Sequence, residues 1–155
     1  MEIIEKDLLT IEEGIIAHQV NCKFVMGSGV ALGIRQKWPI VFTQYETIKK
    51  FYPVSRMYLG LCQLVTVEQG DAELPKLVVA NVFGQDGFNA KGQNAICTDY
   101  EAVEKAFERL AAYRQGRQVY IPYKMGCDRA RGEWGTYSEI IDRVCPGVIA
   151  CKLPN

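Results

Sequence analysis

The residues able to do chemistry fall into short runs. Met26-Gly27-Ser28-Gly29-Val30 places two glycines two positions apart, just after a polar segment opened by Asn21. A Gly-x-Gly turn lets backbone N–H groups approach an anion closely. A helix starting there adds unpaired donors and partial positive charge. The alternative is a structural turn whose glycines serve only close strand–helix packing. The dinucleotide fingerprint calls for a third glycine where Leu32 stands, and no acidic residue ends a strand some twenty residues further on. The Gly-Lys-Ser/Thr of ATP-binding loops occurs nowhere in the chain. The run is therefore a general anion site or a turn.

A second run, Met125-Gly126-Cys127-Asp128-Arg129-Ala130-Arg131-Gly132, concentrates charge. Arg129 or Arg131 can pair with phosphate, and Asp128 can activate a water. The same residues also suit a solvated loop with an internal ion pair. Cys127 has no evident partner as a nucleophile, because His18 is the only histidine. His18 titrates near neutral pH by default. It sits in an apolar run, either as a satisfied core residue or as a general acid–base group. Asn21 both donates and accepts, which suits vicinal sugar hydroxyls or its own turn. Asp7 can accept from an exocyclic amine or cap a helix.

Around these residues the chain alternates. Residues 1–4 and 15–20 read as strands, the second long enough to be buried. Val30, Ala31, Ile34 and Trp38 share one helical face. Pro39 opens a second helix to about residue 51. Residues 61–68 and 77–83 read as strands joined by a short turn, which predicts an antiparallel hairpin in a mixed sheet. The run at 77–83 is nearly all apolar, as in a strand covered on both faces. Residues 84–96 form a long loop. Capping boxes at Thr98–Glu101 and Thr136–Glu139 predict two more helices. Residues 118–122 and 148–153 supply the last strands. The expected fold is a single α/β domain over residues 1–155, with helices on both faces and ligands beyond the carboxyl ends of the strands.

Composition narrows the function. Eighteen basic residues balance eighteen acidic ones, which gives no argument for nucleic acid or a membrane surface as partner. The acidic start, MEIIEKDLL, does not read as a leader, and no run approaches a membrane span. Six scattered cysteines without a C-x-x-C pair are expected to be reduced, in a cytoplasmic protein. The lone histidine speaks against a metal site; no cofactor is expected.

Asp7-Leu8-Leu9-Thr10, His18-Gln19-Val20-Asn21-Cys22 with Met26-Gly27-Ser28-Gly29-Val30-Ala31, Val79-Ala80-Asn81-Val82-Phe83-Gly84-Gln85, and Ile121-Pro122-Tyr123-Lys124-Met125-Gly126-Cys127 before Trp134 together resemble a macro domain. The resemblance is to the phage and bacterial branch of ADP-ribose-1″-phosphate phosphatases and terminal ADP-ribose glycohydrolases, and it spans essentially the whole chain. It implies a three-layer sandwich with a mixed sheet of about six strands. It implies ADP-ribose or its derivatives, including ADP-ribosylated protein, as ligand. By position, Asp7 and the Leu8 backbone would hold the adenine and Asn21 the distal ribose. Met26 to Val30 and Met125 to Arg129, with Cys127 and Asp128 among them, would clamp the diphosphate, and Gln85 would border the site. His18, Asn21 and Asp128 are the catalytic candidates, in a hydrolase or in a non-catalytic reader of the same ligand. Two departures stand out. Asp128 and Arg131 replace glycines of the second loop and Arg129 a leucine, so a different loop shape is expected. Phe83-Gly84-Gln85-Asp86 carries no lysine nucleophile, so a lysyl intermediate is not expected.

Overall fold

The structure is a computed structural model that describes residues 1–88, 96–128 and 130–155. Six strands form one mixed sheet: β1 (Glu2–Glu5), β2 (Gly14–Asn21), β3 (Cys62–Glu68), β4 (Leu77–Gln85), β5 (Val119–Pro122) and β6 (Ile149–Lys152). Their spatial order is β1-β6-β5-β2-β4-β3. Only β3 runs antiparallel, as the hairpin reading expected. β4 is buried along eight of its nine residues, which explains its unbroken apolar sequence.

Strand alternation divides the core into two layers. Ile15 and Ala17 of β2 join Val78, Ala80 and Val82 of β4 under α3 (Tyr100–Tyr113) and α4 (Trp134–Val144). Ile16 and Val20 join Val79 and Phe83 under α1 (Gly29–Lys37) and α2 (Pro39–Thr47). The result is the expected three-layer sandwich. No helix among the described residues is long and apolar enough to cross a membrane.

Both predicted capping boxes give way to other caps. Asp99, not Thr98, caps α3, accepting from the Ala102 N–H at 3.0 Å. Thr98 instead turns inward and is 5% exposed. Glu133 caps α4 by accepting from Gly135 and Thr136 N–H, so that helix begins two residues before Thr136. A carboxylate accepts two N–H groups at once and complements the positive helix end, which a hydroxyl does less well. The second helix also ends earlier, at Thr47, with a 3-10 turn over Ile48–Lys50.

Candidate functional site: a crevice at the carboxyl ends of three parallel strands

β5, β2 and β4 are parallel neighbours, and their carboxyl ends share one edge of the sheet. From that edge the chain leaves β2 toward the α1/α2 layer but leaves β4 and β5 toward the α3/α4 layer. The loops diverge at this point, and a crevice opens where open α/β sheets bind ligands. It encloses about 680 Å³, within the range of small-molecule sites. His18, Asn21, Met26, Gly27, Ser28, Gly29, Val30, Gln85, Met125, Gly126 and Asp128 all line it. Two runs about a hundred residues apart in sequence thus face one another.

The first loop is backbone-rich and open. Ser28 is the N-cap of α1, but its side chain makes no capping bond. The first N–H groups of α1 therefore keep donor capacity at the crevice wall. A Cβ added at Gly27 or Gly29 would meet nothing within 4 Å. Close strand–helix packing is thus not what these glycines serve. Gly29 has a second requirement, a φ of +60° that favours glycine.

The second loop is held from beneath by a polar network that was not foreseen from sequence. The Gln19 side chain accepts from the Tyr137 hydroxyl at 2.8 Å and donates to Thr98 Oγ1 at 3.1 Å. Thr98 in turn donates to the Gly126 carbonyl at 2.7 Å. The Gly132 N–H also donates to that carbonyl, at 2.7 Å. The network fits closely around Gly126, whose φ is +74° and whose Cβ would fall 2.5 Å from the Tyr137 ring. Arg131, which replaces a glycine of the resembled pattern, keeps a φ of +59°. Glycine-like geometry therefore survives there without glycine. Gln19 was legible in principle, as a polar residue inside an apolar strand whose alternation turns it away from His18. Thr98 was read as a helix cap, and Tyr137 only as an interior residue of the Thr136–Glu139 capping box. Tyr123 and Lys124 also line the crevice.

His18 and Asn21 lie at the crevice floor with their chemistry largely committed. His18 is 1% exposed, and its Nε2 lies 2.6 Å from Asn81 Oδ1. Burial lowers its pKa to about 4, with the Asn81 hydrogen bond opposing the shift. The imidazole is therefore neutral at pH 7 and a weak base. Stability follows with a definite sign. The unfolded chain takes up the proton near 6.5 and the folded one only near 4, so folding stability is full above about pH 6.5 and falls toward pH 4. Across that window the loss from this one group is expected to reach about 3 kcal/mol. Urea denaturation across that window, with NMR titration of the single imidazole, checks it; an imidazole titrating near 6.5 in the folded protein would contradict it.

Asn21 Oδ1 accepts from the N–H groups of Lys23 and Gly87, both at 3.0 Å, and its Nδ2 donates to the Gly87 carbonyl at 2.9 Å. Its side chain ties the end of β2 to the loop after β4, next to a register shift between Val20 and Asn21. Gln85 joins the same clasp by donating to Gly87 O at 2.8 Å.

Other predicted residues stand apart. Asp7 accepts from the Leu9 N–H at 2.9 Å and caps the 3-10 turn Leu8–Thr10, while Leu8 is buried under the α1/α2 layer. Neither is among the residues lining the crevice, nor is Cys127. Burial pushes the Cys127 thiol up to about 11, which keeps it protonated and poorly nucleophilic. Arg129 lies outside the described residues. Among those residues no group of His, Cys, Asp or Glu could hold a metal ion.

No protein-family model matches the chain. A curated relative, the DNA ADP-ribosyl glycohydrolase of Mycobacterium tuberculosis, is 32% identical over 73 residues. That match covers 47% of this chain and 19% of the relative, so the chain spans about a fifth of the curated protein's length. Among solved structures, a protein from Bacteroides thetaiotaomicron matches with a TM-score of 0.82 at 26% identity over 99% of both chains. A macrodomain protein from Streptomyces coelicolor matches at 0.73 and 24% identity, over 99% of this chain and 98% of that one. Thermosipho africanus DarTG, solved in complex with ADP-ribose, matches at 0.72 and 16% identity over 98% of this chain and 41% of its own.

Proposed function

This chain has the macrodomain fold, and from that premise we propose that its crevice binds ADP-ribose or a derivative and hydrolyses a bond at the terminal ribose. The observation that carries the reading is the pair of facing loops. Backbone donors at 26–31, with open space above Gly27 and Gly29, stand across about 680 Å³ from the loop at Gly126. Such a pair suits a diphosphate flanked by two sugars. The complex of Thermosipho africanus DarTG with ADP-ribose and the glycohydrolase name of the mycobacterial relative support the same ligand.

Asp128 is the acid–base group in this reading. It lines the crevice and can take a proton from a water that attacks the terminal ribose linkage. His18 is buried with its Nε2 held against Asn81 and serves no proton transfer in this reading. The leaving group is then phosphate, a protein side chain or a nucleobase. The last is included because of the relative's name, although balanced charge alone gave no reason to expect nucleic acid.

A second reading, a module that binds ADP-ribose without turnover, is favoured by one observation. His18 Nε2 and the Asn21 side chain are occupied in holding structure. One experiment separates the readings. Calorimetry should show saturable ADP-ribose binding, with AMP weaker. Turnover of ADP-ribose 1″-phosphate, ADP-ribosylated protein and ADP-ribosylated DNA should fall roughly 10²-fold or more in Asp128→Asn, with binding retained. Binding without any turnover by the wild type selects the reader, and absence of binding sinks both.

A further inference from the structure

A hydrogen-bonding row that neither loop explains runs across the sheet and reaches the crevice at His18. His18, Asn81 and Gln63 are direct cross-strand partners on β2, β4 and β3. The Gln63 Nε2 donates to the Gln44 carbonyl of α2 at 2.8 Å, which leaves its Oε1 facing Asn81. Asn81 Nδ2 donates to that Oε1 at 3.0 Å. The Asn81 amide is thereby oriented with Oδ1 toward His18, 2.6 Å from Nε2. Oδ1 has no proton to give, so Nε2 carries the imidazole proton and Nδ1 is left as a bare acceptor. That Nδ1 is buried and has no hydrogen-bond partner among the described residues. An unpaired buried acceptor costs free energy, yet three residues in register cooperate to create this one beside a ligand-sized space.

We propose that His18 Nδ1 accepts a hydrogen bond from a hydroxyl of the ligand's terminal ribose, with Asn81 as the positioning residue that keeps this nitrogen bare. The inference rests on the ADP-ribose reading above. It assigns His18 a role in recognition rather than proton transfer. It also makes the floor selective: a hydroxyl or amine can donate to Nδ1, whereas an ionised phosphoryl oxygen there would meet a second acceptor. A pKa of about 4 keeps Nδ1 unprotonated across the neutral range. Other titratable groups nearby do not disturb this. Tyr45 of α2 gives its hydroxyl to the Asn21 carbonyl, and Cys22 is pushed up to about 12, so both stay neutral. Tyr123, Lys124 and Asp128 line the crevice from the second loop, while β3 and β4 present the uncharged Gln63, Asn81 and Gln85.

The single histidine makes the test clean, since imidazole nitrogen NMR reports one ring. The free protein at pH 7 should show an unprotonated Nδ1. Saturating ADP-ribose should shift that resonance upfield and leave Nε2 in place, while AMP, which lacks the terminal ribose, should not. Binding of ADP-ribose by calorimetry with no movement of Nδ1 overturns the proposal alone. No calorimetric binding overturns it together with the ADP-ribose reading. Asn81→Asp supplies a second arm. A carboxylate beside Nε2 favours the imidazolium, so Nδ1 should carry a proton at pH 7 and ADP-ribose affinity should drop about tenfold. Affinity should recover at higher pH in the variant and stay flat in the wild type. Equal affinity in both at every pH overturns the proposal. If the variant does not fold, the wild-type NMR result decides.

Discussion

Gly27→Glu is expected to abolish ligand binding while leaving the fold intact. A Cβ at this position meets nothing within 4 Å, and Gly27 is not among the residues with positive φ. No steric or backbone penalty attaches to the new side chain, so folding stability should change by less than about 0.5 kcal/mol. The ligand side is different. In the proposed complex the diphosphate lies against the N–H groups of this loop, and a carboxylate there faces like charge across a few ångströms. At the effective dielectric of a surface cleft such a pair costs several kcal/mol. Affinity for ADP-ribose should fall at least about a hundredfold, or about 3 kcal/mol. Calorimetry and urea denaturation on the same preparation give both numbers. Unchanged affinity would remove the first loop from the site.

Gly126→Ala should do the opposite and damage the fold. The new methyl would sit 2.5 Å from the Tyr137 ring and 2.9 Å from Gln19 Oε1, at a φ of +74°. The left-handed conformation costs about 1–2 kcal/mol for an L residue and overpacking about 1–3 more. A total near 3 kcal/mol corresponds to a Tm lower by about 6–12 °C in a chain of this size. Gly116→Ala is the internal control. Its φ is +77°, but a Cβ there meets nothing within 4 Å, so only the conformational part should appear. Thermal melts of the two variants separate strain from collision. Equal losses would mean that the Gln19–Tyr137–Thr98 network yields freely.

These variants also show where sequence was informative. Among the described residues the strands and α-helices were legible, because apolar runs, helical stripes and a proline at a helix start are local signals. The two glycine runs were recognisable as loops facing one crevice, because each follows a strand directly. Two kinds of feature escaped. Helix starts were misplaced because Thr98 and Thr136 fit a capping pattern, while Asp99 and Glu133 offer a carboxylate one residue later and three residues earlier. Which polar residues face the ligand and which hold the scaffold depends on partners remote in sequence. Asn21 looks equally suited to a sugar or a turn until Gly87 is placed beside it. Gln19 stands out only as a polar residue in an apolar strand, and its role shows once Thr98 and Tyr137 converge on it.

The strand order β1-β6-β5-β2-β4-β3 has a consequence for how the molecule comes together during synthesis. β2 finds its first partner, β4, within about sixty residues, but its other partner, β5, emerges about a hundred residues after it. β1 waits longest, since its sole neighbour is β6 near the far end. Half of the crevice wall can therefore be in place while the ribosome has yet to deliver the other half. Pairing across such separations is slow, because the long loop must be closed before any contact rewards it. The proposed binding crevice is then a late feature of each new chain, completed only after β5 has docked beside β2 and brought Gly126 opposite Gly27.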